Sequence, residues 1–362
     1  MVATLPLANR ISPAVPTPVK LAEPIRVMIV DDSLTVRTVF SRLIESVIDM
    51  DVGVSVGTAE RALDALRSHP VDVVLLDLEM PGMGGLAALP LILERSPGIQ
   101  VLVISSLTAT GAEQTLEALR LGAADTMLKP RPGGFSDAYK AQILARIRAL
   151  GGKAAPMLPF RAALPRAVAK RPQIVAIGAS TGGIHALNLL LRALPRGFDL
   201  PILVTQHLPD SFIPVFARQV ETVSGRRAVL ADEGTEIRKN QVVIAPGHSH
   251  LIVRHSFGRP VTGLAYHPVR SGCTPSVDPM FESLAKAYEG AVAGVLLSGM
   301  GRDGSDGADA IIAAGGAVYA QSAESCAVWG MPRSITERGM ATGIGAPQEL
   351  ARQLAHAAGL AG

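Results

Sequence analysis

The chain has 362 residues, of which 48% are hydrophobic and only 4% aromatic, with 34 Lys and Arg against 31 Asp and Glu. That length accommodates two ordinary domains, and the apolar content excludes wholesale disorder while pointing to cores of Ala, Val, Leu and Ile. A formal charge of +3 is too small to read as a nucleic-acid surface, and two cysteines make no disulfide framework, which fits a reducing cytoplasm.

The first segment, 1–24, is Pro-rich and lacks the compact apolar core of a signal peptide, so a disordered extension is expected there. No stretch of the chain approaches the roughly 20 apolar residues of a membrane span, so no membrane insertion is expected.

From 25 to 147, apolar runs alternate with helical patterns. Ile25–Val30 ends in Asp31-Asp32, Val73–Leu76 in Asp77, Val101–Ile104 in Ser105-Ser106, and Thr126–Leu128 in Lys129-Pro130. Helical spacing occupies Leu34–Ile48, Ala59–Arg67, Gly85–Glu94 and Thr110–Leu121. This alternation predicts a parallel sheet covered on both faces, with the polar strand ends crowded at one edge. Asp31, Asp32 and Asp77 make a hard oxygen set suited to one Mg²⁺. Lys129 and a nearby hydroxyl are the partners that a phosphoryl group on one carboxylate requires. Strand-end acids taken singly are often caps or turn residues; the joint order of Asp-Asp, Asp, hydroxyl and Lys-Pro argues for a site.

The stretches VDDS (30–33), LLDLEMPGMGG (75–85), ISS (104–106) and LKP (128–130) resemble a two-component response-regulator receiver domain, a flavodoxin-like fold with a parallel five-stranded sheet. The resemblance implies Asp77 as phospho-acceptor, Asp31 and Asp32 with Asp77 as Mg²⁺ ligands, Ser105 as the switch hydroxyl, and Lys129 as the phosphate partner. It implies a histidine kinase as phosphodonor. Thr126 stands where many receivers carry an aromatic residue, a departure that bears on the aromatic-rotamer part of the usual switch.

Between the domains, 148–171 reads as a basic, semi-stiff linker, with Pro156, Pro159 and Pro165 among Lys153, Arg161, Arg166, Lys170 and Arg171. No helix-turn-helix pattern or zinc spacing follows the receiver, and no nucleic-acid partner is expected.

The remaining domain, 172–358, opens on IVAIGASTGG at 174–183: an apolar run, a glycine-flanked serine and then an amphipathic segment. A strand that turns at once into a helix presents Ser180 beside unpaired N–H groups at the helix start. The same kind of turn can bind phosphate or simply turn the chain. The G-x-G-x-x-G dinucleotide spacing is absent. Pro201–Gln206 delivers His207 at its end, and Ala291–Ser298 opens into Gly299-Met300-Gly301-Arg302-Asp303-Gly304. Three strands thus carry Ser180, His207 and Asp303, the chemical set of an acyl-transfer triad, to the edge where α/β sites assemble. Backbone amides in the 299–301 turn, Met300 first, are candidates for the oxyanion, and Thr181 for shaping the site. His248 and His250 lack a third ligand at metal spacing, His185 lies too close in sequence to Ser180 to be the obvious base, and His69, His255, His267 and His356 have no companion motif.

The stretches GASTGG (178–183), TQHLP (205–209), IAPG (244–247), VDPMFESLA (277–285), LSGMGRDG (297–304) and WGMPR (329–333) resemble the catalytic domain of the CheB family of chemotaxis protein-glutamate methylesterases. The resemblance implies a doubly wound α/β esterase domain with Ser180, His207 and Asp303 as its triad. Its implied substrates are γ-methyl glutamyl esters on chemotaxis receptors, with deamidation of receptor glutamines, and no cofactor for the hydrolysis. The order Ser, His, Asp along the chain is not that of an α/β-hydrolase. Two other readings stay open at this point: a response regulator acting by binding alone, and a hydrolase of the same fold acting on another protein ester or amide.

Overall fold

The computed structural model describes residues 23–105, 109–130, 135–152 and 170–360. Most of the N-terminal extension, most of the linker and Ser106 lie outside the described residues.

The receiver runs β1 (Ile25–Val30), α1 (Leu34–Glu45), β2 (Met50–Val56), α2 (Ala59–Ala65), β3 (Val73–Asp77), α3 (Gly84–Arg95), β4 (Gln100–Ser105), α4 (Ala109–Leu121), β5 (Asp125–Leu128) and α5 (Asp137–Gly151). Its five strands are parallel in the order β2-β1-β3-β4-β5. Two differences from the sequence reading stand out. Helix α1 stops at Glu45 rather than Ile48, because the Ser46 and Val47 amides turn back onto Leu43 and Ile44. Helix α5 continues through Gly151, so positions 148–151 belong to the receiver and not to the linker.

The second domain runs β6 (Ile174–Ala179), α6 (Gly183–Ala193), β7 (Ile202–Gln206), α7 (Ile213–Ser224), β8 (Arg227–Leu230), β9 (Gln241–Ile244), β10 (His250–Ser256), β11 (Arg259–Ala265), α8 (Val277–Ala287), β12 (Val292–Leu296), α9 (Ser305–Ala313), β13 (Ala317–Gln321), α10 (Met331–Thr336), β14 (Gly343–Gly345) and α11 (Pro347–Ala357). Seven parallel strands take the order β14-β13-β12-β6-β7-β9-β8, and β10 and β11 form a separate antiparallel hairpin. Strands buried on both faces read as continuous apolar runs, which is how β6, β7 and β12 look.

The central triplet β12-β6-β7 positions the site. Phe281 of α8 is fully buried over Gly294 of β12, where a Cβ would meet its ring at 3.2 Å. Truncating such a side chain to alanine costs about 3–5 kcal/mol. One apolar cluster runs from Leu116, Ala118 and Leu119 of α4 into Ile184, Leu187 and Leu190 of α6, so the receiver and the second domain share packing. Among the described residues, no helix is long and apolar enough to cross a membrane.

Candidate active site

Register places the first two candidates side by side. Ala179 and Gln206 are partners in the β6–β7 ladder, and the His207 N–H donates to Ala179 O at 3.0 Å. Ser180 follows directly, and its N–H donates to Ser298 O at the end of β12 at 3.0 Å. The turn then needs Gly182: its φ is +76°, and a Cβ there would meet Ala327 Cβ and Ser298 Oγ at 2.6 Å. Gln206 Nε2 donates to Ser180 O at 2.9 Å and steadies the turn.

Asp303 completes the arrangement from the turn after β12, the strand on the other side of β6 from β7. His207 Nε2 donates to Asp303 Oδ2 at 2.7 Å. With that nitrogen as donor, Nδ1 is the ring nitrogen left as an acceptor. The carboxylate is nearly fully buried and held on both oxygens: Ser276 Oγ donates to Oδ1 at 2.6 Å and the Val277 N–H to Oδ2 at 2.8 Å. Burial works against its charge, but these donors and the imidazole win and hold the carboxyl below its usual range. Burial likewise opposes charge on His207; the Asp303 hydrogen bond and the neighbouring Cys273 sulfur outweigh it and push the ring up to about 9. Asp278 goes the other way, raised by burial and then by Asp303 beside it.

Several contributors have no role in the sequence reading. Cys273 and Ser276 come from the segment before α8, and Val277 is that helix's first residue. Ser298 Oγ, fully buried, donates to Thr181 O at 2.7 Å and accepts from the Val328 N–H at 3.0 Å, tying the serine turn to the 328–330 loop. The two histidines of the HSH stretch are separated. His248 Nδ1 lies 3.0 Å from Asp210 Oδ1, whereas buried His250 accepts from the Ser276 N–H at Nδ1 and donates to His267 O at Nε2. His250 thereby anchors the peptide that cradles Asp303.

The surroundings of the two site-shaping candidates, Met300 and Thr181, differ. In the 299–301 turn, the Gly299 N–H already donates to Val328 O at 3.0 Å, which takes one of the three amides out of consideration for an oxyanion; Met300 itself is exposed. The Thr181 hydroxyl turns away from the triad and donates to Asp125 Oδ2 of the receiver at 2.7 Å.

The receiver's polar edge forms as its strand ends dictate. Lys129 Nζ lies 2.5 Å from Asp77 Oδ2 and 3.1 Å from Asp31 Oδ2. Burial pushes Asp77 up to about 6 against the pull of Lys129. Carboxylate oxygens of Asp31, Asp32 and Asp77 all lie within 4.8 Å of one another, and buried Asp31 Oδ2 lacks a well-directed hydrogen bond. An all-oxygen set with an under-satisfied buried oxygen fits a hard divalent cation. Ser105 Oγ sits 3.4 Å from Thr126 Oγ1 on the neighbouring strand.

Receiver and second domain meet beside Ser180. Besides Thr181–Asp125, the Gly182 N–H donates to Ala124 O at 2.5 Å, and His185 Nδ1 donates to Arg120 O at 3.2 Å. Farther along, Gln219 Nε2 donates to Leu116 O at 3.1 Å, and Arg218 pairs with Glu113 at 3.2 Å.

An acid–lysine receiver edge joined to a doubly wound domain with serine, histidine and aspartate at one rim defines a class: a response regulator with a hydrolase-type output domain. Comparison with known proteins narrows it. The CheB methylesterase family model matches residues 175–354, and the response regulator receiver domain model matches 27–135. Protein-glutamate methylesterase/protein-glutamine glutaminase 1 of Rhodospirillum rubrum is 38% identical over 359 residues, covering 90% of this chain and 92% of its own. The corresponding protein 2 of Caulobacter vibrioides is 39% identical over 330 residues, covering 88% and 94%. The crystal structure of the Thermotoga maritima CheB methylesterase catalytic domain, 34% identical, covers 51% of this chain and 98% of that one with a TM-score of 0.50. The chain belongs to the CheB methylesterase family.

Proposed function

We propose that this chain hydrolyses glutamate γ-methyl esters on chemotaxis receptors, and deamidates receptor glutamines, through a Ser180 acyl-enzyme under receiver control. The observation that carries the reading is the 2.7 Å His207–Asp303 hydrogen bond at the strand ends that flank Ser180. His207 Nδ1 takes the Ser180 proton as Oγ attacks the ester carbonyl; Asp303 orients the ring and stabilises its charged form. The Met300 N–H is the candidate donor to the developing oxyanion. The ring returns the proton to the departing methanol, or to ammonia from an amide. It then draws a proton from water, which attacks the acyl carbonyl, and returns that proton to Ser180 Oγ as glutamate leaves.

Regulation enters through Asp77, the phospho-acceptor in this reading, with a histidine kinase as donor. Asp31, Asp32 and Asp77 would hold Mg²⁺, which when bound neutralises charge on the incoming phosphoryl group. Lys129 and Ser105 are its protein partners. In the resting state the Gly182 amide and the Thr181 hydroxyl are donated to receiver acceptors next to Ser180, so the receiver stands across the mouth of the site. Phosphorylation opens it only by favouring the separated arrangement over the docked one. The setting is the cytoplasmic face of the receptors.

The test is methanol release from methyl-labelled receptor membranes by the full chain, with and without a small phosphodonor. Release that rises with the phosphodonor and vanishes in Ser180→Ala supports the reading; full release by Ser180→Ala overturns it.

A further inference from the structure

Cys273 has no part in the proposed hydrolysis, yet its sulfur lies in the triad. Sγ of Cys273, a ring nitrogen of His207 and a carboxylate oxygen of Asp303 all lie within 4.8 Å of one another. Cys273 also lines a cavity of about 330 Å³, together with His250, His267 and Gly272, which gives the sulfur a route from solvent. The other three-residue cluster found among the described residues, Asp31, Asp32 and Asp77, offers oxygen alone. Sulfur and imidazole with one carboxylate are a different donor set: they favour zinc over magnesium and leave a fourth position open.

We propose that His207, Cys273 and Asp303 form an inhibitory site for a thiophilic divalent cation, zinc in the first instance. The cation accepts lone pairs from a thiolate, an imidazole nitrogen and a carboxylate oxygen. The thiol proton leaves to water; a charged ring loses the proton at its ligating nitrogen to water, a neutral ring shifts it to the other nitrogen, and no bond between heavy atoms of the protein changes. Zinc sits about 2.3 Å from sulfur and about 2.0–2.2 Å from nitrogen or oxygen, so three donors around it stand roughly 3–4 Å apart. The 4.8 Å bound on the present cluster lies within roughly an ångström of that spacing. The carboxylate is already supported from behind by Ser276 Oγ and the Val277 N–H, the kind of outer partners that keep a ligating group in place. A cation there ties up the base and the acid together and leaves Ser180 without a proton acceptor. The inhibitory consequence rests on the hydrolytic reading above; the binding itself does not.

Cobalt(II) is the probe, because a cobalt–thiolate bond gives a near-ultraviolet charge-transfer band that requires no turnover. The full chain, reduced and then freed of reductant and magnesium, is titrated with Co²⁺. The expected result is a saturable thiolate band that persists in Cys326→Ser and is lost in Cys273→Ser and Cys273→Ala, whose far-ultraviolet dichroism reports their folding. In parallel, Zn²⁺ is titrated into the methanol-release assay, each variant normalised to its own metal-free rate. Zinc is expected to inhibit reversibly on chelation. The half-inhibiting concentration should rise tenfold or more in the folded Cys273 variants and stay put in Asp77→Asn, which removes a receiver carboxylate. No thiolate band in the unsubstituted chain, or the same zinc dependence with and without Cys273, overturns the proposal. Should the chain release no methanol at all, the cobalt band still decides whether the site exists.

Discussion

Thr181 Oγ1 donates to Asp125 Oδ2 at 2.7 Å, joining the residue after the candidate nucleophile to the receiver. Asp125 is also paired with Arg146 at 3.3 Å and precedes Thr126, whose hydroxyl faces Ser105 on the neighbouring strand. A short covalent and hydrogen-bonded path therefore runs from Ser105 at the receiver's polar edge to the serine turn. Removing the acceptor with Asp125→Ala weakens docking by the worth of a hydrogen bond, about 0.5–1.5 kcal/mol. Methanol release by the unphosphorylated chain should rise about two- to tenfold, with a smaller further gain from a phosphodonor. An unchanged basal rate with an unchanged response would show that this contact does not restrain the enzyme.

A fragment that begins at Arg171 lacks every receiver contact on Gly182, Thr181 and His185. It should outpace the unphosphorylated full chain on the same receptor membranes and be indifferent to phosphodonor. A fragment no faster than the resting chain removes occlusion from the account.

The support around Asp303 predicts a graded series. Asp303→Asn keeps the shape but loses the charge that stabilises the imidazolium, and kcat should fall about 10³–10⁴-fold, by analogy with serine protease triads. Ser276→Ala removes one of several donors to the carboxylate. At about 1.5–3 kcal/mol for a hydrogen bond to a charged group, kcat should drop about ten- to a hundredfold with KM little changed. Steady-state kinetics on the two variants would expose a wrong ordering.

His207 sets the pH dependence. Its ring is pushed from 6.5 to about 9, burial being outweighed by Asp303 and Cys273. A protonated ring cannot accept the Ser180 proton, so kcat/KM should climb about tenfold per pH unit on the acid side and level off near pH 9. Because the folded-state pKa is raised, the ring's contribution to stability is complete below about 6.5 and is lost as pH rises through about 9. Weakening the pair with Asp303→Asn should move the rising limb to lower pH; a limb that stays in place contradicts the assignment of the base.

Strand ends were the legible part of this chain. Apolar runs that stop abruptly at Asp31, Asp77, Ser180, His207 and the 299–304 turn place those residues at two sheet edges, and the fold assembles them there. Strand β2 was not legible: it is an edge strand of alternating exposure, MDVGVSV, with Asp51, Gly53 and Ser55 interrupting any apolar run. The partners of Asp303 were hidden for another reason. Ser276 and Val277 precede it by about a full βα unit, and His250 reaches them from a hairpin outside the main sheet. Likewise, nothing in GASTGG reveals that the threonine hydroxyl and a glycine amide are spent on the receiver; that depends on how α4 docks on α6 and α7.

The central claim is that Ser180, His207 and Asp303 act as one unit, and a mutant cycle tests it most directly. Methanol release from methyl-labelled receptor membranes is measured for Ser180→Ala, His207→Ala and the double variant, all phosphorylated to relieve docking. The account predicts that each single change abolishes the triad's contribution and that the double variant is no slower than either single one. Losses that multiply, or a Ser180→Ala chain that still releases methanol at the full rate, would contradict it.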